Sequence, residues 1–150
     1  MSNSSIRDNH SNGNVGDFLK QAITKDSDVS IVSAYFTIYA YHHLKSNLDS
    51  INHLKFLFGE PTFIKSMDPD KTNLRDFKIE DDKIVIPIES RLTQKSVAKE
   101  CSEWIKTKTE IRSMVKPNFL HGKMYHVHQE SGIEKVVAGS SNFTVNGFGL

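Results

Sequence analysis

The chain has 150 residues, of which 25% are charged and 37% hydrophobic, and its formal net charge is +1. This length predicts one domain with a sizeable core, and the near-neutral charge gives no global signature of a polyanion-binding protein. The sequence contains neither a signal-peptide pattern nor an apolar run of membrane-spanning length. We therefore expect a cytoplasmic protein with no membrane partner.

The first half of the chain predicts two helix–strand pairs. Residues 1–14 are polar and form either an arm or a disordered lead-in, which composition cannot separate. Apolar spacing predicts a helix over residues 17–24, and a β-branched and aromatic run predicts a buried strand over 29–37. A second helix is predicted over 39–48. Alternating apolar residues that end in glycine predict a strand over 53–59.

The second half of the chain begins with an irregular, acidic segment, residues 60–88, which contains a predicted short strand, "KIVIPI". Helical spacing follows over residues 92–106, and a strand over 110–115. A hairpin then turns at Glu130-Ser131-Gly132. Helices between strands predict an α/β fold, with a mixed central β-sheet of about six or seven strands sandwiched by helices.

The predicted hairpin, "LHGKMYHVHQESGIEKVVAGSSNFTVNG", carries the residues with chemical potential. His121 and Lys123 are two residues apart on its first strand, so their side chains should project from the same face. The return strand brings Ser140, Ser141 and Asn142 near the start of the first. This gathers a candidate nucleophile, a cation and several neutral hydrogen-bond donors.

These residue types suit the cleavage of a phosphodiester. A neutral imidazole can attack phosphorus and form a covalent intermediate, while a lysine and amide donors stabilise the charge that develops on the phosphate oxygens. Two successive displacements remove the need for a metal-activated water, so we expect neither a metal nor a cofactor. The general acid, a second histidine, must come from elsewhere.

The "HGK" and "GSSN" segments resemble the HKD signature of the phospholipase D superfamily, His-x-Lys-x4-Asp followed by Gly-Ser-x-Asn. The resemblance implies that His121 is the nucleophile and Lys123 a phosphate ligand. It also implies that Ser140 or Ser141, together with Asn142, hydrogen-bonds the phosphate. The aspartate of the signature falls at His128, a departure that metal-independent nuclease branches of the superfamily tolerate.

Further segments extend the resemblance over most of the chain. "VGDFLK", "SIVSAYFTIYAY", "LKFLFGEP" and "AKECSEWI" look like the phospholipase D-like domain that precedes the motor in some bacterial superfamily 2 helicases. Related single-motif domains occur in some restriction endonucleases. The resemblance implies a metal-independent endonuclease module for DNA, attached to a helicase or restriction system. The alternative is a non-catalytic module that binds DNA and positions it for a motor.

The single His-x-Lys motif has a consequence for assembly, because the chemistry of the superfamily uses two histidines. Either a homodimer brings two copies of His121 together across a two-fold axis, or a longer parent chain carries a second motif. The chain ends eight residues after Asn142, in "VNGFGL". We therefore expect residues 1–150 to be a single phospholipase D-like domain cut from a longer protein that includes the motor domain.

Several other features have simpler interpretations. His126 and His128 are interpreted as hairpin surface or interface residues rather than metal ligands. Residues 91–125 are basic, which fits either a solvated helix face or a DNA-binding surface. The absence of an amphipathic membrane-binding segment disfavours a phospholipase. Cys101 is interpreted as a half-buried packing residue. Four aromatic residues are interpreted as core and helix packing rather than as a base-stacking platform: Tyr35, Phe36, Tyr39 and Tyr41.

Overall fold

The computed structural model of the chain describes residues 6–58, 88–114, 120 and 122–150, with side chains from residue 93 in the second range and without that of residue 113. The elements are α1 (Val15–Ala22), β1 (Asp28–Ser33), α2 (Ile38–Asp49), β2 (His53–Phe58), α3 (Ile88–Lys108), β3 (Thr109–Ser113), β4 (Lys123–His128), β5 (Glu134–Gly139) and α4 (Val145–Phe148). This arrangement confirms the predicted α/β class. No helix in these ranges combines the length and the apolar character that a bilayer span requires.

The strands form one mixed sheet in the order β3-β2-β1-β4-β5. β1, β2 and β3 are parallel, whereas β4 is antiparallel to β1 and β5 is antiparallel to β4. The predicted hairpin is confirmed, and its turn uses Gly132 at φ 82°. The described residues give five strands, fewer than expected. The predicted "KIVIPI" strand lies outside them, except for Ile88, which begins α3 instead.

The core lies between the helices and one face of the sheet. Alternate residues of the central strands are buried there, among them Ile31 of β1, Phe56 of β2 and Tyr125 of β4. They form a single apolar cluster with residues of α1, α2, α3 and α4. The opposite face is only partly buried, and it exposes Met124 and Val136. The described helices therefore cover one face of the sheet, where the sequence predicted helices on both.

The boundaries of β1 and α3 depart furthest from their predictions. β1 ends at Ser33, although the β-branched and aromatic run continues to Thr37. The Ser33 hydroxyl donates to the Tyr35 carbonyl (2.8 Å), a local bond that turns the chain out of the strand. Helix α3 spans Ile88–Lys108, and thus begins and ends beyond the predicted residues 92–106.

Cys101 is fully buried, at 2% exposure, rather than half-buried. Burial raises the pKa of its thiol to about 11, because the thiolate would lose its hydration. Trp104, on the same helix, donates from Nε1 to the Leu48 carbonyl (3.0 Å). The Trp104 bond joins α3 to α2. Burial leaves Cys101 as a packing residue without the thiolate needed for chemistry.

Residues 6–14 form an ordered arm, one of the two states that composition left open. The Asp8 carboxylate accepts hydrogen bonds from the backbone of His10 (2.9 Å) and Asn12 (3.0 Å), which closes a tight turn. Asn9 accepts from the Val15 backbone (3.1 Å) and donates to the Gly147 carbonyl (3.4 Å). The arm is thereby fastened to the start of α1 and to α4.

Candidate active site

The candidate site is built around the carboxyl end of β1, where the loop after β5 crosses the sheet. In sheets with parallel strands, ligands bind at the carboxyl ends of those strands. Ser33 ends β1 and is 1% exposed. Its hydroxyl oxygen accepts from the Phe143 backbone N–H (2.9 Å). This bond fixes the loop that carries the predicted phosphate-binding residues over the end of β1.

Asn142 is held in one orientation by the same strand end. Its Oδ1 accepts from the Ala34 backbone N–H (3.2 Å) and lies 3.3 Å from the Ser33 hydroxyl. A backbone N–H can only donate, so the amide atom that it faces must be the oxygen. The Nδ2 donors of Asn142 are therefore turned away from β1. They have no hydrogen-bond partner in the described part of the chain, and can bind an acceptor such as a phosphate oxygen.

Tyr125 fixes the loop at a second point. Its hydroxyl donates to the Ser141 carbonyl (2.8 Å), and burial raises the pKa of this phenol above its usual value. Tyr125 is therefore a neutral donor at any physiological pH. Phe143 is buried beneath the loop and stacks on Phe36 at a centroid distance of 5.0 Å. The loop is consequently positioned by both polar and apolar contacts.

Lys123 is the first residue of β4 and is half-buried. Its partner on β5 is Gly139, so the "GSSN" segment begins directly across from the lysine, as the hairpin prediction required. Val32 pairs with Met124, which places Lys123 at the same end of the sheet as Ser33. Alternation along β4 puts Lys123 on the face that buries Tyr125. The structure thus brings Lys123, Ser140, Ser141 and Asn142 to one end of the sheet.

His121 lies outside the described residues. Its position on the same face as Lys123, and its role as nucleophile, therefore stay predictions.

His126 and His128 lie on the opposite face of β4. Their ring nitrogens contact different oxygens of Glu134, at 2.5 Å and 2.6 Å respectively. Both hydrogen bonds hold the pKa of Glu134 below its usual value, and the one with His128 has the larger effect. In the ranges that the structure describes, no three histidine, cysteine or acidic side chains are arranged to hold a metal ion.

Of the described basic residues between positions 91 and 125, Lys123 lies at this site, whereas those at the end of α3 do not. Lys106 and Lys108 lie at the carboxyl end of α3, directly before β3 begins. Because β3 runs parallel with β1, these lysines lie at the amino ends of the parallel strands, opposite the carboxyl end of β1. Lys108 donates to the carbonyls of Asp49 (3.1 Å) and Ile51 (2.6 Å), which is a structural role.

A cavity of about 600 Å³ lies between α2 and α3 and is also separate from this site. Two of its lysines are engaged in local contacts: Lys45 with Asp49 (2.5 Å) and Glu100 (3.6 Å), and Lys108 with backbone carbonyls. The walls also carry three carboxylates, as many as their lysines, so this cavity offers a phosphate less than the end of β1 does.

Two aromatic residues were misassigned to the core. Tyr35 is 64% exposed and Tyr39 is 51% exposed, whereas Tyr41 is buried and Phe36 is partly buried. Tyr35 follows Ala34, the residue that donates to Asn142. An exposed ring, that of Tyr35, therefore lies beside the candidate site, and Tyr39 is exposed in the first turn of α2. Sequence reasoning also missed the positioning roles of Ser33 and Tyr125, because each residue lies inside a pattern that predicts an ordinary strand.

Comparison of the chain with models of known families, with curated proteins and with solved structures finds no match.

The two roles of Asn142 can be separated by a pair of substitutions. Asn142→Asp keeps an acceptor for the Ala34 N–H but removes the Nδ2 donors, so we expect a change in unfolding free energy below about 1 kcal/mol. Asn142→Ala removes both, and should cost about 1–2 kcal/mol. Each of the two variants should abolish phosphodiester cleavage. Urea unfolding and a DNA-cleavage assay measure the two effects, and equal destabilisation by both variants would contradict the anchoring role of Oδ1.

Proposed function

We propose that this chain is a phospholipase D-like phosphodiesterase that cleaves DNA without a metal, through a covalent intermediate on His121. The observation that carries the proposal is the orientation of Asn142. Its oxygen is bound to the end of β1, so its donors are presented at the same end of the sheet as Lys123. This is the arrangement that the "HGK" and "GSSN" segments need if they are to hold one phosphate between them.

The proposed reaction has two displacements. His121 attacks phosphorus, a P–N bond forms, and the P–O bond to the leaving oxygen breaks as a second histidine donates a proton to that oxygen. Water then attacks phosphorus while the same second histidine accepts its proton, and the P–N bond breaks. Lys123 and the amide of Asn142 stabilise the negative charge on the non-bridging oxygens in both steps.

The test of this function is nicking of supercoiled plasmid DNA with EDTA in the buffer. Activity equal with EDTA and with Mg²⁺ is expected, because the histidine route uses no metal-bound water. Activity that EDTA removes would overturn the proposed mechanism. Since a parent chain could complete the site, the assay should include the longest natural protein that contains this sequence.

We further propose that the second histidine is His121 of another copy, related by a two-fold axis. Light scattering during gel filtration should then show a dimer, and cleavage should fall with dilution as the dimer dissociates. A monomer that retains full activity at every concentration would contradict a shared site. Attachment of this module to a helicase motor or a restriction system is part of the same proposal.

A second function, a DNA-binding module without catalysis, is favoured by the exposure of Tyr35 and Tyr39. Exposed aromatic rings next to a phosphate-binding group are typical of proteins that stack single-stranded bases. Tight, salt-sensitive DNA binding with no nicking in the full-length protein would support this alternative.

A further inference from the structure

A small cavity of about 130 Å³ lies on the helix-covered face of the sheet, beside the edge strand β5. Its walls come from the N-terminal arm, the start of α1 and the carboxyl end of β5. The residues that matter for its chemistry are Arg7, Tyr125, Gly139, Ser140 and Ser141. A cavity of this size admits a few water molecules or one small tetrahedral anion.

The charge of this cavity favours an anion. Arg7 is permanently cationic, and no carboxylate is present among the described residues that line the space. The guanidinium donates to the Asn12 carbonyl (3.3 Å) and lies 5.8 Å from the centre of the Phe18 ring. These contacts orient the guanidinium while using one of its five donors, so others can bind a ligand.

The backbone at the start of α1 supplies little to this cavity. The Val15 N–H donates to Asn9 (3.1 Å), and the Asp17 N–H donates to Asn14 (2.7 Å). Asp8, next to Arg7 in the sequence, accepts hydrogen bonds from residues of its own turn. An anion in the cavity would therefore depend on Arg7 and the serine segment rather than on the helix N-terminus.

The cavity is continuous with the candidate active site. Gly139 lines it and is also the cross-strand partner of Lys123. Partners directly across two antiparallel strands project from the same face, with Cβ positions about 5 Å apart. A Cβ atom at Gly139 would meet no other atom within 4 Å, so the space beside the lysine is open.

We propose that this cavity binds the phosphate of a DNA backbone next to the one held by Lys123, with Arg7 as its cation. The inference rests on the proposed function, because it extends the path of the bound DNA strand from Lys123 across the loop after β5. An arginine suits this role because its planar fork can make two parallel hydrogen bonds to one phosphate. The N-terminal arm thereby becomes part of the substrate-binding surface.

The test compares Arg7→Gln with Arg112→Gln. Each variant removes one arginine charge, but Arg112 lies on β3, at the other edge of the sheet, and pairs with Glu110. Binding of a fluorescent single-stranded oligonucleotide is measured by anisotropy over a salt series. Arg7→Gln should weaken binding about 5- to 10-fold and reduce the slope of log K against log salt by about 0.7. Equal effects of the two variants would overturn the proposal.

A second measurement separates this inference from the cleavage reaction. Inorganic phosphate is titrated into the protein while NMR follows the backbone amides of Gly139, Ser140 and Ser141. Shifts in the wild type that are lost in Arg7→Gln support the cavity as a phosphate site, even if the protein never cleaves DNA. Cleavage of DNA without any phosphate-dependent shift would overturn the proposal that the cavity binds phosphate, while leaving the proposed function intact.

Gly139→Val provides a steric test that leaves every charge in place. The added side chain enters open space next to Lys123, so the fold should tolerate it. Weaker oligonucleotide binding, matching that of Arg7→Gln, is the expected result. Unchanged binding by a folded Gly139→Val protein would show that the cavity is not occupied by the nucleic acid.

Discussion

His121→Ala is expected to abolish DNA cleavage while most DNA binding remains. In the proposed mechanism the imidazole forms the bond to phosphorus, so its loss removes the reaction path rather than part of a binding surface. The rate should fall by more than about 10³-fold, as it does when other covalent nucleophiles are removed. Affinity should change little, because Lys123 and Asn142 still hold the phosphate. Plasmid nicking and oligonucleotide anisotropy measure the two effects.

The matched control for this substitution is His126→Ala. This substitution also removes an imidazole, but His126 lies on β4 with its ring facing away from Lys123 and in contact with Glu134. We expect its cleavage rate to stay within a few-fold of the wild type. Cleavage that survives in His121→Ala, or that is lost equally in both variants, would contradict the role of His121.

Gly147→Ala should damage the site without changing any of its chemical groups. A Cβ atom at Gly147 would lie 2.9 Å from the Asn142 backbone nitrogen and closer still to the Asn142 carbonyl oxygen. Backbone atoms cannot rotate away as a side chain can, so the loop must shift. We expect a loss of about 2–4 kcal/mol in unfolding free energy, together with reduced cleavage because Asn142 loses its bond to Ala34.

Gly139→Ala is the control for this prediction. Its new Cβ atom meets nothing within 4 Å, and alanine is as well suited to a strand as glycine or better. Urea unfolding should show less than about 1 kcal/mol of change in this variant. Equal stability of Gly147→Ala and Gly139→Ala would contradict the close approach of α4 to the loop.

Local patterns predicted the strands well and the ends of some elements poorly. The alternation in "HLKFLF" gave β2 almost to the residue, because the buried face of a strand repeats every two residues. The end of β1 was missed since it depends on a hydroxyl bond from Ser33 to Tyr35, which overrides the β-propensity of the residues that follow. Propensity describes single residues and contains no information about such bonds.

The residues of the candidate site could be predicted from the sequence, but the contacts that position them could not. The hairpin register that sets Lys123 across from Gly139 followed from turn length and alternation. The contacts of Asn142 with β1, and of Arg7 with the cavity beside β5, join residues that are more than 100 positions apart. Only the assembled sheet brings these groups together. The exposure of Tyr35 was missed for the same reason, because burial depends on which helix covers a residue.

The central claim is the covalent bond between His121 and the DNA phosphate. A labelled oligonucleotide is mixed with excess protein in EDTA, quenched in alkaline denaturant to preserve a phosphohistidine, and analysed by denaturing gel and peptide mass spectrometry. The account predicts a protein–DNA adduct whose mass maps to His121 and which is absent in His121→Ala. Cleavage that proceeds with no adduct at any time, or an adduct on another residue such as Ser140, would contradict it.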